Sequence, residues 1–194
     1  MNTDIYYSEA SREDFPAILE LQGKNLFEAL TSEQRVSGFL TGEFSINMLH
    51  EVIKGAAIVK AFTATELVGY RMAQTLTFAS SSPLLSAIIE RFPSIAFGGQ
   101  KLSELEVFIS GPTCIAEVWR GKGVHEGMFK KMLSLVQNRF EIGVCFVDEA
   151  NPRSLAAAQR KLKMHLVDRL AFNGKAYSIL AFSTKEEKKI NIEA

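Results

Sequence analysis

The chain has 194 residues, 47% hydrophobic and 23% charged, which suits one domain with a substantial core and gives no compositional sign of disorder. Its 22 basic and 22 acidic side chains cancel, so no global charge draws it to nucleic acid or an anionic membrane, and any phosphate binding must be local. No apolar run has the length of a membrane span, and Met1-Asn2-Thr3-Asp4 lacks the basic and apolar regions of a secretory signal, so the expected compartment is the cytoplasm.

In chain order, Ile5-Tyr6-Tyr7 is a short strand candidate, and Ser11 with Asp14 forms a near capping box for a first helix over about Arg12 to Gln22. Gln22 places a polar group on the apolar stripe of that helix. Ser32-Glu33-Gln34-Arg35 and Ser45-Ile46-Asn47-Met48 open two further short helices, the second ending near Lys54-Gly55. Ala56 to Thr63 and Glu66 to Phe78 read as a hairpin, and Pro83 opens an amphipathic helix through about Phe92. Leu102 to Glu117 is extended but broken by Gly111-Pro112, which marks a bulge, a splay or an unpaired edge because proline cannot donate to a ladder.

Val124, Met128, Met132, Leu135 and Val136 then define a helix ending near Asn138. Ile142 to Val147 has no charged or polar side chain, as a strand buried on both faces requires. Asn151-Pro152 starts another helix, and Leu166 to Phe172 with Ala176 to Phe182 close the fold as a hairpin turned by Asn173-Gly174. Residues 1–183 form one domain without internal repeat, and Thr184 to Ala194 is a charged tail expected to be mobile. Cys114 and Cys145 sit inside apolar runs as small buried thiols, and His50, His125 and His165 are too scattered for a metal site.

The segment that carries chemistry is Trp119-Arg120-Gly121-Lys122-Gly123-Val124-His125-Glu126-Gly127, between an apolar strand and a helix. Successive backbone N–H groups from Arg120 through Gly121, Lys122, Gly123, Val124 and His125 can close around a pyrophosphate. The following helix adds about half a positive charge at its N-terminus. The His125 imidazole either reaches a phosphate or crowds it.

These residues resemble the GNAT N-acetyltransferases, whose pattern is Gln or Arg, two residues, Gly, one residue, then Gly or Ala, after a strand and before a helix. Arg120, Gly123 and His125 hold those positions, with His125 departing from the small residue. Asn151-Pro152-Arg153-Ser154-Leu155, one helix and one strand later, resembles the second family motif, and the likeness spans about Leu102 to Phe182. Where the family has an aromatic general acid the chain has Ala158, or Gln159 with one insertion, and the family's Gly-Phe becomes Lys163-Met164.

The resemblance implies a mixed α/β (α+β) fold, a central and mostly antiparallel sheet flanked by helices, with two inner strands splayed around acetyl-CoA. It implies that backbone groups of Cys114, Ile115 and Ala116 pair with the pantetheine arm, with Asn151 and Ser154 near its thiol end. Asn151 also serves as a helix N-cap. The implied reaction is direct acetyl transfer to an amine in a ternary complex, without metal.

An ammonium with a pKa of about 10.4 must lose a proton before attack, and Glu106, then Glu104, are candidate bases by resemblance or simply a solvated strand end. Tyr177 is a candidate donor to the leaving thiolate, or a core aromatic with its hydroxyl at the edge. Cys114 lacks a paired base that would activate it as a nucleophile. The acceptor site is expected where the N-terminal helices and residues 80–97 meet Gly111, with Phe78, Phe92 and Phe97 as lining.

Two other functions stay open on the same residues. The missing acid permits an inactive acyl-CoA-binding regulator. Gly121-Lys122-Gly123-Val124-His125-Glu126-Gly127 with Asp148 loosely resembles a dinucleotide fingerprint and so admits NAD(P). No basic patch interleaved with aromatics indicates nucleic acid. The expected partners are acetyl-CoA and an amine, a small molecule ahead of a protein, and the chain is expected to be a monomer or homodimer.

Overall fold

The computed structural model describes residues 4–185. Short runs of alternating and β-branched residues form β1 (Tyr6–Glu9), β2 (Ala57–Phe62) and β3 (Leu67–Thr75). The two-residue strands β4 (Ala96–Phe97) and β5 (Gln100–Lys101) follow, then β6 (Val107–Ile115), β7 (Ile142–Asp148), β8 (His165–Phe172) and β9 (Lys175–Ser183). Seven of these make one sheet in the order β1-β2-β3-β6-β7-β9-β8, and β4 with β5 forms a separate hairpin turned by Gly98 and Gly99 at positive φ. Every neighbouring pair in the large sheet is antiparallel except β6 and β7, which run parallel.

That parallel seam is short. Val107, Phe108 and Ile109 face Ile142, Gly143 and Val144, and the register stops there, so both strands continue toward their C-terminal ends without pairing to each other. The break falls beside Gly111-Pro112. Arg71 opposes Thr113 and Ala73 opposes Ser110, so Gly111 and Pro112 together face Met72, a bulge that bends β6 away from β7. The bulge and the splay expected from the sequence are therefore parts of one distortion.

The helices are α1 (Phe15–Gly23), α2 (Ser32–Arg35), α3 (Ile46–Gly55), α4 (Leu76–Ala79), α5 (Pro83–Ile89), α6 (Val124–Val136) and α7 (Pro152–Ala156). Helices α1 and α3 bury Phe15, Ile18, Leu49 and Val52 on one face of the sheet together with Tyr70 and Met72. On the other face α6 buries Val124, Met128, Met132 and Val136 at i, i+4 spacing, with Cys145 and Val147 of β7. Ile142 and Val144 point into a third cluster with α5, so β7 is covered on both faces as its composition requires. Gln22 is satisfied inside the α1 stripe: its Nε2 donates to Phe44 O at 3.0 Å and its Oε1 accepts the Phe44 N–H at 2.9 Å.

Several expected boundaries move for local reasons. Strand β3 ends at Thr75, three residues short of Phe78, because the Thr75 hydroxyl accepts the Phe78 N–H at 3.3 Å and caps α4. The extended run expected from Leu102 begins only at Val107, since Leu102–Glu104 is a 3-10 turn in which the Glu104 carboxylate accepts the Lys101 N–H at 3.3 Å. Thr184 belongs to the fold and not to a tail: it is buried, and its hydroxyl donates to Phe140 O at 2.5 Å. Residues 186–194, the rest of that expected tail, lie outside the described residues. Among the described residues no helix is long and apolar enough to cross a membrane, and no cluster of three His, Cys, Asp or Glu side chains is placed to hold a metal ion.

Candidate functional site

The N-terminus of α6 is left open. Gly123 is its N-cap, at φ +81, and no side chain caps it. The first intrahelical bond is Gly127 N–H to Gly123 O at 3.0 Å, so the amides of Val124, His125 and Glu126 have no acceptor within the helix. Gly121 adopts φ +80, and a Cβ at either glycine would stand in open space. Both glycines are thus required by backbone conformation, which L-residues adopt only with strain, and not by crowding.

This helix end faces a hollow of about 410 Å³, whose basic lining comes from Arg120, Arg153, Arg160 and Lys161. Arg153, Arg160 and Lys161 escaped the sequence reading; the signal was their place on the turns after Asn151, opposite the glycine loop. Lys161 also pairs with Glu126 at 3.2 Å. Lys122 stands over the Trp119 ring at 4.8 Å and is not part of the lining.

Arg120 turns inward. It donates from Nε to Ile115 O at 3.0 Å, from Nη1 to Ser37 O at 2.9 Å and from Nη2 to Asn25 Oδ1 at 2.6 Å. The guanidinium therefore ties the loop to the end of β6 and to the segment after α1. His125 also turns inward, its Nε2 3.0 Å from Arg71 Nη1. Because arginine only donates, Nε2 accepts and the ring proton sits on Nδ1. Burial, reinforced by the charges of Arg71 and Lys161, pushes the imidazole down to about 3, so it is neutral at physiological pH. Its backbone amide is what it offers at the helix end.

Along β6, Ala116 N–H donates to Val68 O at 2.9 Å, and Cys114 O lies against Gly69 of β3. The alternation of an antiparallel ladder then turns the main-chain groups of Thr113 and Ile115 toward the splay. Of the expected trio, Ile115 thus faces the gap with its N–H free of the ladder, whereas Cys114 and Ala116 direct their groups to β3. The Cys114 thiol is buried and pushed up to about 12 by that burial, which removes it as a nucleophile.

Asn151 is buried at the N-cap of α7, its Oδ1 accepting the Ser154 N–H at 3.3 Å. Both residues border the first hollow and a second one of about 480 Å³ between the splayed strands. After α7 the chain makes a π turn over Ala157–Lys161, which buries Ala158 against the second hollow and leaves Gln159 exposed.

Tyr177 on β9 is buried and lines the second hollow, opposite Asp148 in register. Burial, then the Asp148 charge, raises its hydroxyl pKa. Glu104 and Glu106 do not line either hollow. Both are exposed just before β6, and Glu106 is five residues before Gly111, about 16 Å along an extended chain. The carboxylates that do line the splay are Asp148, at the C-terminal end of β7, and Glu43. Phe78 lines it as expected, whereas Phe92 is buried in the α5 cluster and Phe97 lies against His165 at 5.8 Å.

The mixed sheet is splayed at its one parallel seam, and an uncapped, glycine-led helix stands at the mouth of the cleft that results. Solved structures resemble the chain over nearly its whole length. An N-acetyltransferase from Staphylococcus aureus superposes with a TM-score of 0.62 at 12% identity, over 94% of this chain and 100% of that one. A putative acetyltransferase from Salmonella typhimurium, solved with its cofactor acetyl-CoA, gives 0.60 at 10% identity over 95% and 96%. An acetyltransferase of the GNAT family from Streptococcus pneumoniae gives 0.62 at 8% identity over 93% and 99%. No family model and no curated protein matches the sequence. The chain has the GNAT N-acetyltransferase fold.

Proposed function

We propose that the chain is an N-acetyltransferase that moves an acetyl group from acetyl-CoA to an amine by direct attack in a ternary complex. The observation that carries this is the coincidence of the uncapped α6 N-terminus with the β6–β7 splay, because one ligand must satisfy both a phosphate cradle and an unpaired strand edge. Acetyl-CoA supplies a pyrophosphate, an amide-bearing arm and an activated acyl group. The amides of Val124, His125 and Glu126 receive the pyrophosphate, with Gly121 and Gly123 shaping the loop and Arg153, Arg160 and Lys161 adding charge. Thr113 and Ile115 hold the arm by strand addition, and Asn151 and Ser154 hold it where the two hollows meet.

The proton work falls to Asp148 and Tyr177. Asp148 accepts the proton that the acceptor ammonium must lose. Tyr177, its pKa raised, stays protonated at neutral pH and donates toward the departing sulfur. This assignment replaces Glu106 and Glu104, which are too far from the bulge to touch an acceptor there. The acceptor enters beside Phe44 and Phe78, and a small amine suits this hollow better than a protein.

One observation favours a second reading. Ala158 puts a methyl group where the family has its acid, so a protein that binds acyl-CoA without turnover would look the same at this position. Thermal denaturation with coenzyme A, acetyl-CoA, NAD and NADP separates the cofactor classes: stabilisation by the coenzyme A species is expected, and stabilisation by NADP alone would sink the assignment. Thiol release against a panel of amines then separates enzyme from binder, since tight coenzyme A binding with no turnover identifies the binder.

The loop itself is tested by Gly123→Ala. A Cβ at φ +81 costs about 1–2 kcal/mol or turns the Val124 amide away. Calorimetry should show coenzyme A binding weakened about tenfold, and a Kd within twofold of the parent would remove the helix end from the phosphate site.

A further inference from the structure

Arg71 is the one charged residue of β3 and is 2% exposed. Its Nη1 donates to Thr113 Oγ1 and His125 Nε2, both at 3.0 Å, and its Nη2 donates to Ser110 Oγ at 2.8 Å. All three partners are neutral, and no ion pair among the described residues includes Arg71. Its Nε is buried without any hydrogen-bond partner. A guanidinium carries five N–H donors, so three bonds leave two free, one on Nε and one on Nη2. Those two nitrogens can form the fork that takes both oxygens of a carboxylate.

Arg71 lines the splay hollow, as do Ser110, Cys145 and Ala158. Ala158 leaves this wall one methyl deep. Burial draws the guanidinium down to about 10, which still leaves it charged at neutral pH, and His125 is neutral beside it. A buried cation without a counter-charge is expensive, and proteins keep such groups paired. A departing thiolate answers that need only briefly and with one atom.

We propose that the hollow takes a substrate bearing a carboxylate, which Nε and Nη2 of Arg71 receive as a fork, so that the ligand brings the missing counter-charge. The proposal rests on the acyltransferase assignment. Acetyl-CoA has no carboxylate, so the group arrives either on the acyl chain of the donor, as in a dicarboxylic monothioester, or on the acceptor, as in a free amino acid.

Titration calorimetry on the full chain distinguishes these sources. In the donor arm succinyl-CoA is compared with butyryl-CoA, which has the same chain length without the carboxylate. In the acceptor arm, with coenzyme A saturating, a panel of free amino acids is compared with the matching carboxamides. The carboxylate member should bind at least fivefold tighter in one arm, and the arm identifies the source. Arg71→Met should abolish that preference and leave the Kd for coenzyme A unchanged, while Arg71→Lys retains part of it. If Arg71→Met does not fold, the comparison on the parent protein decides alone. An advantage below fivefold in both arms overturns the proposal while leaving the acetyltransferase assignment standing. Failure of every coenzyme A species to bind would overturn both.

Discussion

Asp148→Asn is expected to lower kcat for acetyl transfer by about 10²–10⁴-fold, the usual worth of a positioned general base, while leaving the Kd for coenzyme A unchanged. The carboxylate sits at the end of β7 inside the splay and away from the glycine loop. Asparagine keeps the oxygen that accepts the Ala150 N–H at 2.9 Å, so the turn into α7 survives. The ion pair with Lys175 is long, 3.8 Å, and half exposed on the lysine side, so its loss costs about 1 kcal/mol at most. A loss of turnover is then attributable to the proton. If kcat stays within threefold, the base is not Asp148, and Glu43, the other carboxylate lining the hollow, becomes the residue to replace.

The second large effect is on stability. In β7, a Cβ at Gly143 would lie 2.1 Å from Cζ of Phe182, its cross-strand partner. That ring is 4% exposed and held edge-on by Phe108 at 5.9 Å and Phe129 at 4.9 Å, so it has no room to withdraw. Gly143→Ala should destabilise the protein by about 2–3 kcal/mol through overpacking, read by urea denaturation. Gly143→Ala combined with Phe182→Leu should recover part of the loss relative to the sum of the single changes. Strict additivity would mean that the two residues do not meet.

Much of the glycine-loop end of the cleft was legible in the sequence because it depends on backbone conformation, which glycine and proline announce. Gly121 and Gly123 marked the positive φ, Gly111-Pro112 marked the break in β6, and Asn173-Gly174 marked the closing turn. Side-chain direction was not legible. Arg120 reads as a phosphate ligand, yet three of its five donors are taken by Ile115, Ser37 and Asn25, residues distant in sequence except for the first. Glu104 and Glu106 were candidates by resemblance or else a solvated strand end, and both lie exposed and outside the two hollows. Asp148 did carry a signal: it closes an apolar strand parallel to β6 and so ends where β6 splays. Arg71 carried one too, as the lone charge of its strand, between Tyr70 and Met72.

The open seam beyond Ile109 and Val144 has a consequence for how the molecule behaves among other proteins. An unpaired strand edge on a protein surface recruits foreign strands and leads to aggregation. Here two such edges face each other inside the molecule, and the walls between them come from Phe44, Phe78 and the turns after Asn151. The recess that the proposed ligand would occupy thus also keeps the two edges away from foreign strands.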